Sequence, residues 1–161
     1  MAELPAIDTS PLIFLTKGGF LNLLQLLSPQ IIVPQAVATE IEAYGAEDIT
    51  AKTLTLTDWL VVRETPPVPL VIQSWDLGAG ESAVLSWGYT HPGTEVIIDD
   101  LAGRHCASTF SIPVRGTLGL VLIAKQRGAI PAARPVLEQL RLSGMYLSQT
   151  VLNQALAKVG E

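Results

Sequence analysis

Short apolar runs alternate with stretches of helical periodicity along the chain, and this alternation predicts an α/β fold. Strands are predicted at five apolar runs: Glu3–Asp8, Gln30–Val33, Leu60–Glu64, Glu95–Asp99 and Ile112–Val114. Helices are predicted at Pro11–Lys17, Phe20–Leu27, Gln35–Tyr44, residues 46–58, a short segment near Val71, Gly80–Tyr89, Leu101–Thr109, Leu118–Arg127, Ala132–Leu142 and Ser148–Val159. Strands joined through helices imply right-handed crossovers, and therefore a parallel sheet with helices on both faces.

Composition supports a single globular domain spanning residues 1–161. Hydrophobic residues make up 48% of the chain and charged residues 16%, which excludes a disordered protein. Every apolar stretch is interrupted well before the ~20 residues that a spanning helix needs. No secretory signal is visible, so we expect a cytoplasmic protein. Because Cys106 is the one cysteine, an internal disulfide is excluded, and two histidines argue against structural zinc.

Charge is distributed unevenly along the chain. The net charge is −5, which weakly disfavours a nucleic-acid-binding protein. Residues 1–100 contain 13 acidic and three basic side chains, a net of −10, whereas residues 101–161 contain two acidic and seven basic side chains, a net of +5. This asymmetry suggests an acidic site beside a basic docking surface, although ordinary solvated surface would give the same pattern.

Two acidic positions coincide with the ends of predicted strands. Asp8 ends the first strand, Asp99 ends the fourth, and Asp100 follows it. Because parallel strands end at the same edge of a sheet, we expect these carboxylates to converge there. The alternative role for such an aspartate is to cap the next helix, and Asp8 precedes a predicted helix that begins near Pro11.

Two glutamates lie on helix faces that could bring them to the same edge. Glu40 shares one face with Val37, Ile41 and Tyr44, so it lies on or beside the buried stripe. Glu81 follows Gly80 in the first turn of another helix, where a carboxylate is also favoured by the helix dipole alone. We nevertheless group these glutamates with the aspartates, because all four positions map to one edge of the sheet.

A cluster of carboxylates predicts a particular chemistry. Carboxylates that lie close together repel one another unless they are protonated or neutralised by a cation. Ligand sets made only of oxygen suit Mg²⁺ or Mn²⁺. Such ions serve phosphoryl chemistry by activating water and stabilising charge on the phosphate oxygens.

A glycine-containing segment precedes a later helix. Gly116-Thr117-Leu118-Gly119 follows the last predicted strand, so its backbone N–H groups could hold a phosphate. The alternative is that Thr117 is an ordinary N-cap.

Several motifs together resemble a known family. They are Asp8-Thr9-Ser10-Pro11-Leu12-Ile13, Val33-Pro34 with Val37 and Glu40, Gly78-Ala79-Gly80-Glu81, Ile98-Asp99-Asp100 with Gly103-Arg104, and Gly116-Thr117-Leu118-Gly119 with Ala124-Lys125. In this order and spacing they resemble the PIN-domain superfamily, and within it the VapC-like branch. The resemblance covers nearly the whole chain, from Asp8 to about Leu156.

The resemblance implies an α/β/α sandwich with a five-stranded parallel sheet and a ribonuclease site that depends on Mg²⁺ or Mn²⁺. It places the metal-binding, catalytic acids on Asp8, Glu40, Glu81 and the Asp99/Asp100 pair, with the choice within that pair left open. The family's polar residue after the first aspartate falls on Ser10 or Thr9. This chain has Glu81 where many PIN domains carry aspartate. Many relatives are toxins held by an antitoxin protein and form homodimers, so both are expected partners.

We therefore predict a metal-dependent endoribonuclease. Arg104, Arg115 and Lys125 are candidate contacts for RNA phosphates, although Arg104 could instead pair with Asp100 one helical turn away. A phosphatase of the haloacid dehalogenase type would need a second aspartate where Ser10 stands. A receiver domain would have its acidic pair near the N-terminus. A PIN module that only binds a partner is the third alternative.

Overall fold

The computed structural model describes residues 3–161, which form a five-stranded parallel sheet. The strands are β1 (Ala6–Ile7), β2 (Ile31–Pro34), β3 (Leu60–Arg63), β4 (Val96–Ile97) and β5 (Val114–Arg115). They lie in the order β3-β2-β1-β4-β5, and every neighbouring pair is parallel. The predicted parallel arrangement is confirmed.

Helices flank this sheet to give a PIN-like α/β/α sandwich. They are α1 (Thr9–Gly18), α2 (Gln35–Glu42), α3 (Ile49–Leu56), α4 (Leu70–Gln73), α5 (Ala79–Thr90), α6 (Leu101–Thr109), α7 (Thr117–Gln126), α8 (Ala133–Leu142) and α9 (Gln149–Lys158). Helices α1, α7 and α8 pack together, while α5 packs against α2 and α6. The strands are buried between these helices: Ile7, Ile31, Ile32 and Ile97 have almost no exposed surface.

The strand order reverses beside the central strand. The chain runs outward from β1 through β2 to β3 and then returns to place β4 on the other side of β1. Ala6 pairs with Ile32 on one side and with Val96 on the other. In open α/β sheets, the crevice beyond the carboxyl ends at such a reversal is where ligands bind. The topology therefore directs attention to the residues that follow β1 and β4.

Four predicted elements differ clearly from the observed ones. The first and fourth strands are shorter than predicted, at Ala6–Ile7 and Val96–Ile97. The segment predicted as a helix at Phe20–Leu27 is a 3₁₀ helix, Leu21–Leu26, confined between Gly19, which ends α1 at φ +83°, and Pro29. The last strand is Val114–Arg115 rather than Ile112–Val114. Pro113 lies inside the predicted run and has no N–H to donate to a neighbouring strand, so regular pairing begins after it.

Across residues 3–161, no helix combines the length and the apolar character needed to cross a bilayer.

Candidate active site

The strand ends bring Asp8 and Asp99 to the reversal point of the sheet. Asp8 directly follows β1, and its backbone N–H donates to the Ile97 carbonyl of β4 at 3.0 Å. Asp99 lies just beyond β4, and Asp100 precedes the first residue of α6. The two neighbouring strands therefore deliver three carboxylates to one edge.

Asp8 is a buried carboxylate with a perturbed pKa. Asp8 as a whole is only 5% exposed to solvent. Burial raises the pKa of Asp8 from 3.8 to about 6, and the charges of Glu40, Asp99 and Asp100 add to this rise, while the Thr9 backbone N–H opposes it. Asp8 stands at the N-cap position of α1, yet within the described residues its side chain makes no capping hydrogen bond. Helix capping therefore does not account for this aspartate.

Glu40 links the starts of two helices. The Thr9 hydroxyl at the start of α1 donates to Glu40 Oε2 at 2.7 Å, and the Gly80 backbone N–H in α5 donates to Glu40 Oε1 at 2.9 Å. Both carboxylate oxygens are thus engaged by protein groups. Thr9, rather than Ser10, is the polar residue that contacts this acid; Ser10 is exposed and faces elsewhere.

Glu81 has the least satisfied carboxylate of the group. Its Oε2 atom is buried and has no hydrogen-bond partner among residues 3–161. Burial raises the pKa of Glu81 from 4.5 to about 7, and the charges of Asp8, Asp100 and Glu40 act in the same direction.

Two glycines let helix backbones approach these glutamates. A Cβ atom on Gly80 would lie 2.7 Å from Glu40 Oε1, and one on Gly103 would lie 3.1 Å from Glu81 Oε2. Any larger residue at Gly80 would displace the carboxylate, and at Gly103 the neighbouring groups would have to move. The sequence signal for these contacts is a glycine beside an acidic motif, in Gly78-Ala79-Gly80-Glu81 and in Asp99-Asp100-Leu101-Ala102-Gly103.

Asp99 and Asp100 are held in different ways. The backbone N–H and the hydroxyl of buried Thr117 each donate to Asp99, at 2.7 Å to Oδ1 and 2.7 Å to Oδ2. Asp100 caps α6 through the Gly103 N–H at 3.1 Å, and its charge reaches both Asp8 and Glu81. Asp99 therefore anchors the start of α7, whereas the exposed Asp100 caps α6; the charges of both reach Asp8, and that of Asp100 also reaches Glu81.

The α7 N-terminus is occupied by this anchor. Gly116 is the N-cap residue and Thr117 is the first helical residue, so the predicted cap at Thr117 is off by one position. The Asp99 carboxylate takes the place that a phosphate would occupy at such a helix end.

Arg104 is a half-buried cation beside the site. Its Nη1 donates to the Ile98 carbonyl at 3.4 Å, and a Cβ atom on Gly116 would lie 2.5 Å from the same nitrogen. No carboxylate oxygen in residues 3–161 lies within 4.0 Å of its guanidinium, so the alternative pairing with Asp100 is absent there.

Two other candidate cations are engaged elsewhere. Arg115 forms a two-point ion pair with Glu95, with both contacts at 2.9 Å. Lys125 donates to the Pro131 carbonyl at 2.8 Å and lies 3.8 Å from Glu161 Oε2. Eight residues of α7 separate Lys125 from Thr117, a rise of ~12 Å along the helix.

The acidic side chains are chemically suited to bind a hard divalent cation. Among the described residues, no three His, Cys, Asp or Glu side chains are already arranged to hold a metal. However, one buried Glu81 oxygen has no partner among residues 3–161, and the pKa values of two carboxyls are raised. Both features are expected where carboxylates lie close together without a neutralising cation. Mg²⁺ suits such a site, because it takes few protein carboxylates and completes its shell with water and phosphate.

A family model described as "DUF3368: PIN domain" matches residues 5–161. The chain belongs to the PIN-domain family. No curated protein and no solved structure gives a significant match. The family match confirms the predicted superfamily and agrees with the observed sheet, and PIN domains are generally nucleases.

The raised pKa values predict how stability depends on pH. Asp8 and Glu81 both favour the neutral acid in the folded protein, so their contribution to stability is complete below their unfolded values of 3.8 and 4.5. It is lost as the pH rises through about 6 and about 7. Without divalent metal, we expect Tm to fall across this window by roughly 2–4 °C for each kcal/mol of stability that is lost.

Melting curves of wild type and of the double variant Asp8→Asn, Glu81→Gln measure this effect. The double variant should have a flatter profile over the same window. A wild-type Tm that rises from pH 4 to pH 7 would contradict the assignment of these two groups.

Proposed function

We propose that this PIN domain is an endoribonuclease that depends on Mg²⁺ or Mn²⁺. The observation that carries the proposal is the pair formed by Asp8 and Glu81 at the reversal point of the sheet. Asp8 is buried, Glu81 is half-buried with its Oε2 atom buried and without a partner among residues 3–161, and both carboxyls have raised pKa values. Carboxylates that lie this close together repel one another, and a bound cation would relieve that repulsion. In the finer form of the proposal, the chain acts in the cytoplasm, either in RNA processing or as a homodimeric toxin held by an antitoxin protein.

The proposed ligand set is Asp8, Glu40, Glu81, Asp99 and Asp100, with Asp8 at its centre. Glu40 and Asp99 have both oxygens in hydrogen bonds to protein groups, so direct contact falls mainly to Asp8, Glu81 and Asp100. A bound divalent cation would supply an activated water and stabilise negative charge on the phosphate.

The chain's own residues have distinct roles in this proposal. Glu81 Oε2, a buried oxygen without a partner among residues 3–161, would be held as a carboxylate oxygen on the bound cation. Glu40 is a positioning residue that fixes α1 and α5 relative to each other. Arg104 is the cation best placed to contact the RNA backbone. Exposed Ser10, the residue after Thr9, is a polar candidate for substrate contact that faces away from the acids. Thr117 acts through Asp99, while Arg115 and Lys125 contribute only long-range positive charge.

A non-catalytic PIN module that binds RNA is the second candidate. It is favoured by one observation: within the described part of the chain, no three acidic groups are already arranged for a metal. The two candidates predict different behaviour. A nuclease cleaves RNA and loses cleavage when a carboxylate is substituted, whereas a binding module binds RNA without cleaving it.

Asp8→Asn is the most direct test. The substitution removes the buried charge at the centre of the acids, so we expect Mg²⁺- or Mn²⁺-dependent cleavage of a mixed RNA pool to disappear. Because the metal-free site also loses repulsion, Tm at neutral pH should stay the same or rise. The matched control is Asp58→Asn, at an exposed position between α3 and β3, which should cleave like wild type. Cleavage by Asp8→Asn at the wild-type rate would overturn the catalytic assignment.

Gly80→Ala tests the position of Glu40. Its Cβ atom would lie 2.7 Å from Glu40 Oε1 and would push the carboxylate away from the Gly80 N–H. We expect cleavage to fall at least about tenfold, while stability changes by less than about 1 kcal/mol, because alanine favours a helix and the displaced carboxylate is flexible. Gly119→Ala is the control, since the nearest atom there is Arg115 Cγ at 3.7 Å. Equal cleavage by the two variants would remove Glu40 from the site.

Arg104→Ala tests phosphate contact. Loss of one phosphate-binding cation should weaken RNA binding across all sequences and reduce the salt slope by about one. Lys125→Ala should change that slope less, since its ammonium group lies at the far end of α7 and is already engaged. Salt titrations of RNA affinity compare the two, and an Arg104→Ala slope equal to that of wild type would exclude the contact.

A further inference from the structure

A cavity of about 280 Å³ opens between α1 and the segment that joins α2 to α3. Ser10, Phe14 and Lys17 line it from α1, and Tyr44, Asp48 and Thr50 line it from the opposite wall. Ser10, Phe14 and Lys17 lie at i, i+4 and i+7, so α1 presents one continuous face to the cavity. None of these side chains belongs to the acidic group.

The cavity adjoins the acidic group through a single hydrogen bond. The Thr9 hydroxyl contacts Glu40 Oε2 at 2.7 Å, and this contact joins the start of α1 to α2. Ser10 is the next residue after Thr9. Tyr44 follows Glu40 by four residues, just past the end of α2, which is about one helical turn or ~6 Å. Both walls of the cavity therefore begin beside the Thr9–Glu40 contact and extend away from it.

The lining combines an aromatic platform, a cation and hydroxyl groups. Tyr44 is 65% exposed, so its ring is accessible from the cavity, and Lys17 is exposed near the far end of α1. Thr50 is 1% exposed, and its hydroxyl has no hydrogen-bond partner within residues 3–161. Asp48 uses Oδ2 to accept the Thr50 and Ala51 N–H groups at 3.0 and 3.1 Å as the cap of α3. The polar groups that a ligand in the cavity can reach are therefore those of exposed Ser10 and Lys17 and of half-buried Asp48.

We propose that this cavity binds one nucleotide of the RNA, next to the phosphate that is cut. The base stacks on Tyr44, the Lys17 ammonium contacts the backbone phosphate, and Ser10 and Asp48 hydrogen-bond to the ribose or the base edge. The proposal rests on the proposed ribonuclease function and specifies a recognition subsite for it.

Size and charge favour a nucleotide over other occupants. Seven residues of α1 separate Ser10 from Lys17, a rise of ~10 Å, so the cation lies well beyond the acids. One cation and one carboxylate nearly cancel, which disfavours a free phosphate but suits a ligand with both a charged and an uncharged part. Sequence-tolerant recognition of single strands combines aromatic stacking with cations that follow the backbone, and the cavity offers both.

The test uses metal-free full-length protein and the four ribonucleoside 5′-monophosphates as probes, followed by NMR. We expect amide shifts at Ser10, Tyr44 and Thr50, with affinity reduced roughly five- to hundredfold by Tyr44→Ala, the range for loss of one base stack. Tyr146→Ala is the matched control, because Tyr146 is 90% exposed and lies in the segment between α8 and α9. In cleavage assays, Tyr44→Ala should raise KM with little change in kcat.

The outcomes separate the subsite from the ribonuclease activity. Shifts confined to the neighbourhood of Asp100 and Gly103, or none with any of the four nucleotides, would overturn the subsite even if the enzyme cleaves RNA. Nucleotide binding at Tyr44 without cleavage by wild type would support the subsite and reject the nuclease. A Tyr44→Ala variant that binds RNA like wild type would overturn the subsite and point to a protein partner at this face.

Discussion

Mutual repulsion among carboxylates at one edge of the sheet is the constraint on which the rest of this molecule depends. Asp8, Glu40, Glu81, Asp99 and Asp100 are brought within electrostatic reach of one another, and no lysine or arginine of the described residues forms an ion pair with any of them. In place of ion pairs, the fold brings helix N-termini to the acids. Gly80 of α5 donates to Glu40, Gly103 of α6 to Asp100, and Thr117 of α7 to Asp99.

These contacts couple the fold to the charge of the site. Backbone N–H groups in the first turn of a helix have no partner within the helix, and the helix dipole makes them favourable for anions. Each carboxylate therefore satisfies a helix start while it is itself stabilised. Asp8 and Glu81 are less stabilised by helix N–H groups, and their pKa values are raised. The proposed metal site thus falls on the carboxylates that the fold leaves least compensated.

The strand ends and helix faces could be predicted from sequence because they depend on local pattern. Continuous apolar runs placed Asp8 and Asp99 at strand ends. The i, i+3, i+4 spacing placed Glu40 on or beside a buried stripe, and it lies beside buried Val37 and Ile41; Glu40 itself is exposed, as is Tyr44, which was expected on the same face. The choice between Asp99 and Asp100 could not be made in this way. It depends on where α7 begins relative to β4, since Thr117 comes close enough to bind Asp99 only in the folded chain.

Contacts between residues that are distant in sequence could not be predicted from local pattern either. Arg115 was predicted to contact RNA, but its guanidinium is committed to Glu95, which lies 20 residues earlier. Lys125 is committed to Pro131 and Glu161. A count of basic residues shows that positive charge is present in the C-terminal part. It does not show which of these cations already form hydrogen bonds or ion pairs within the protein. Arg104 differs from the others because α6 carries it beside the acids while the acids are held by helix starts.

The start of α1 shows how recognition and chemistry can be separated by one residue. Neighbouring residues on a helix point about 100° apart, so Thr9 and Ser10 cannot face the same groups. Thr9 turns toward Glu40 and fixes the acidic group, while Ser10 faces the cavity beside it. A substrate that reaches both would be aligned by a rigid helix rather than by a loop. The hydrogen bond between Thr9 and Glu40 therefore determines how the cavity is placed relative to the acids.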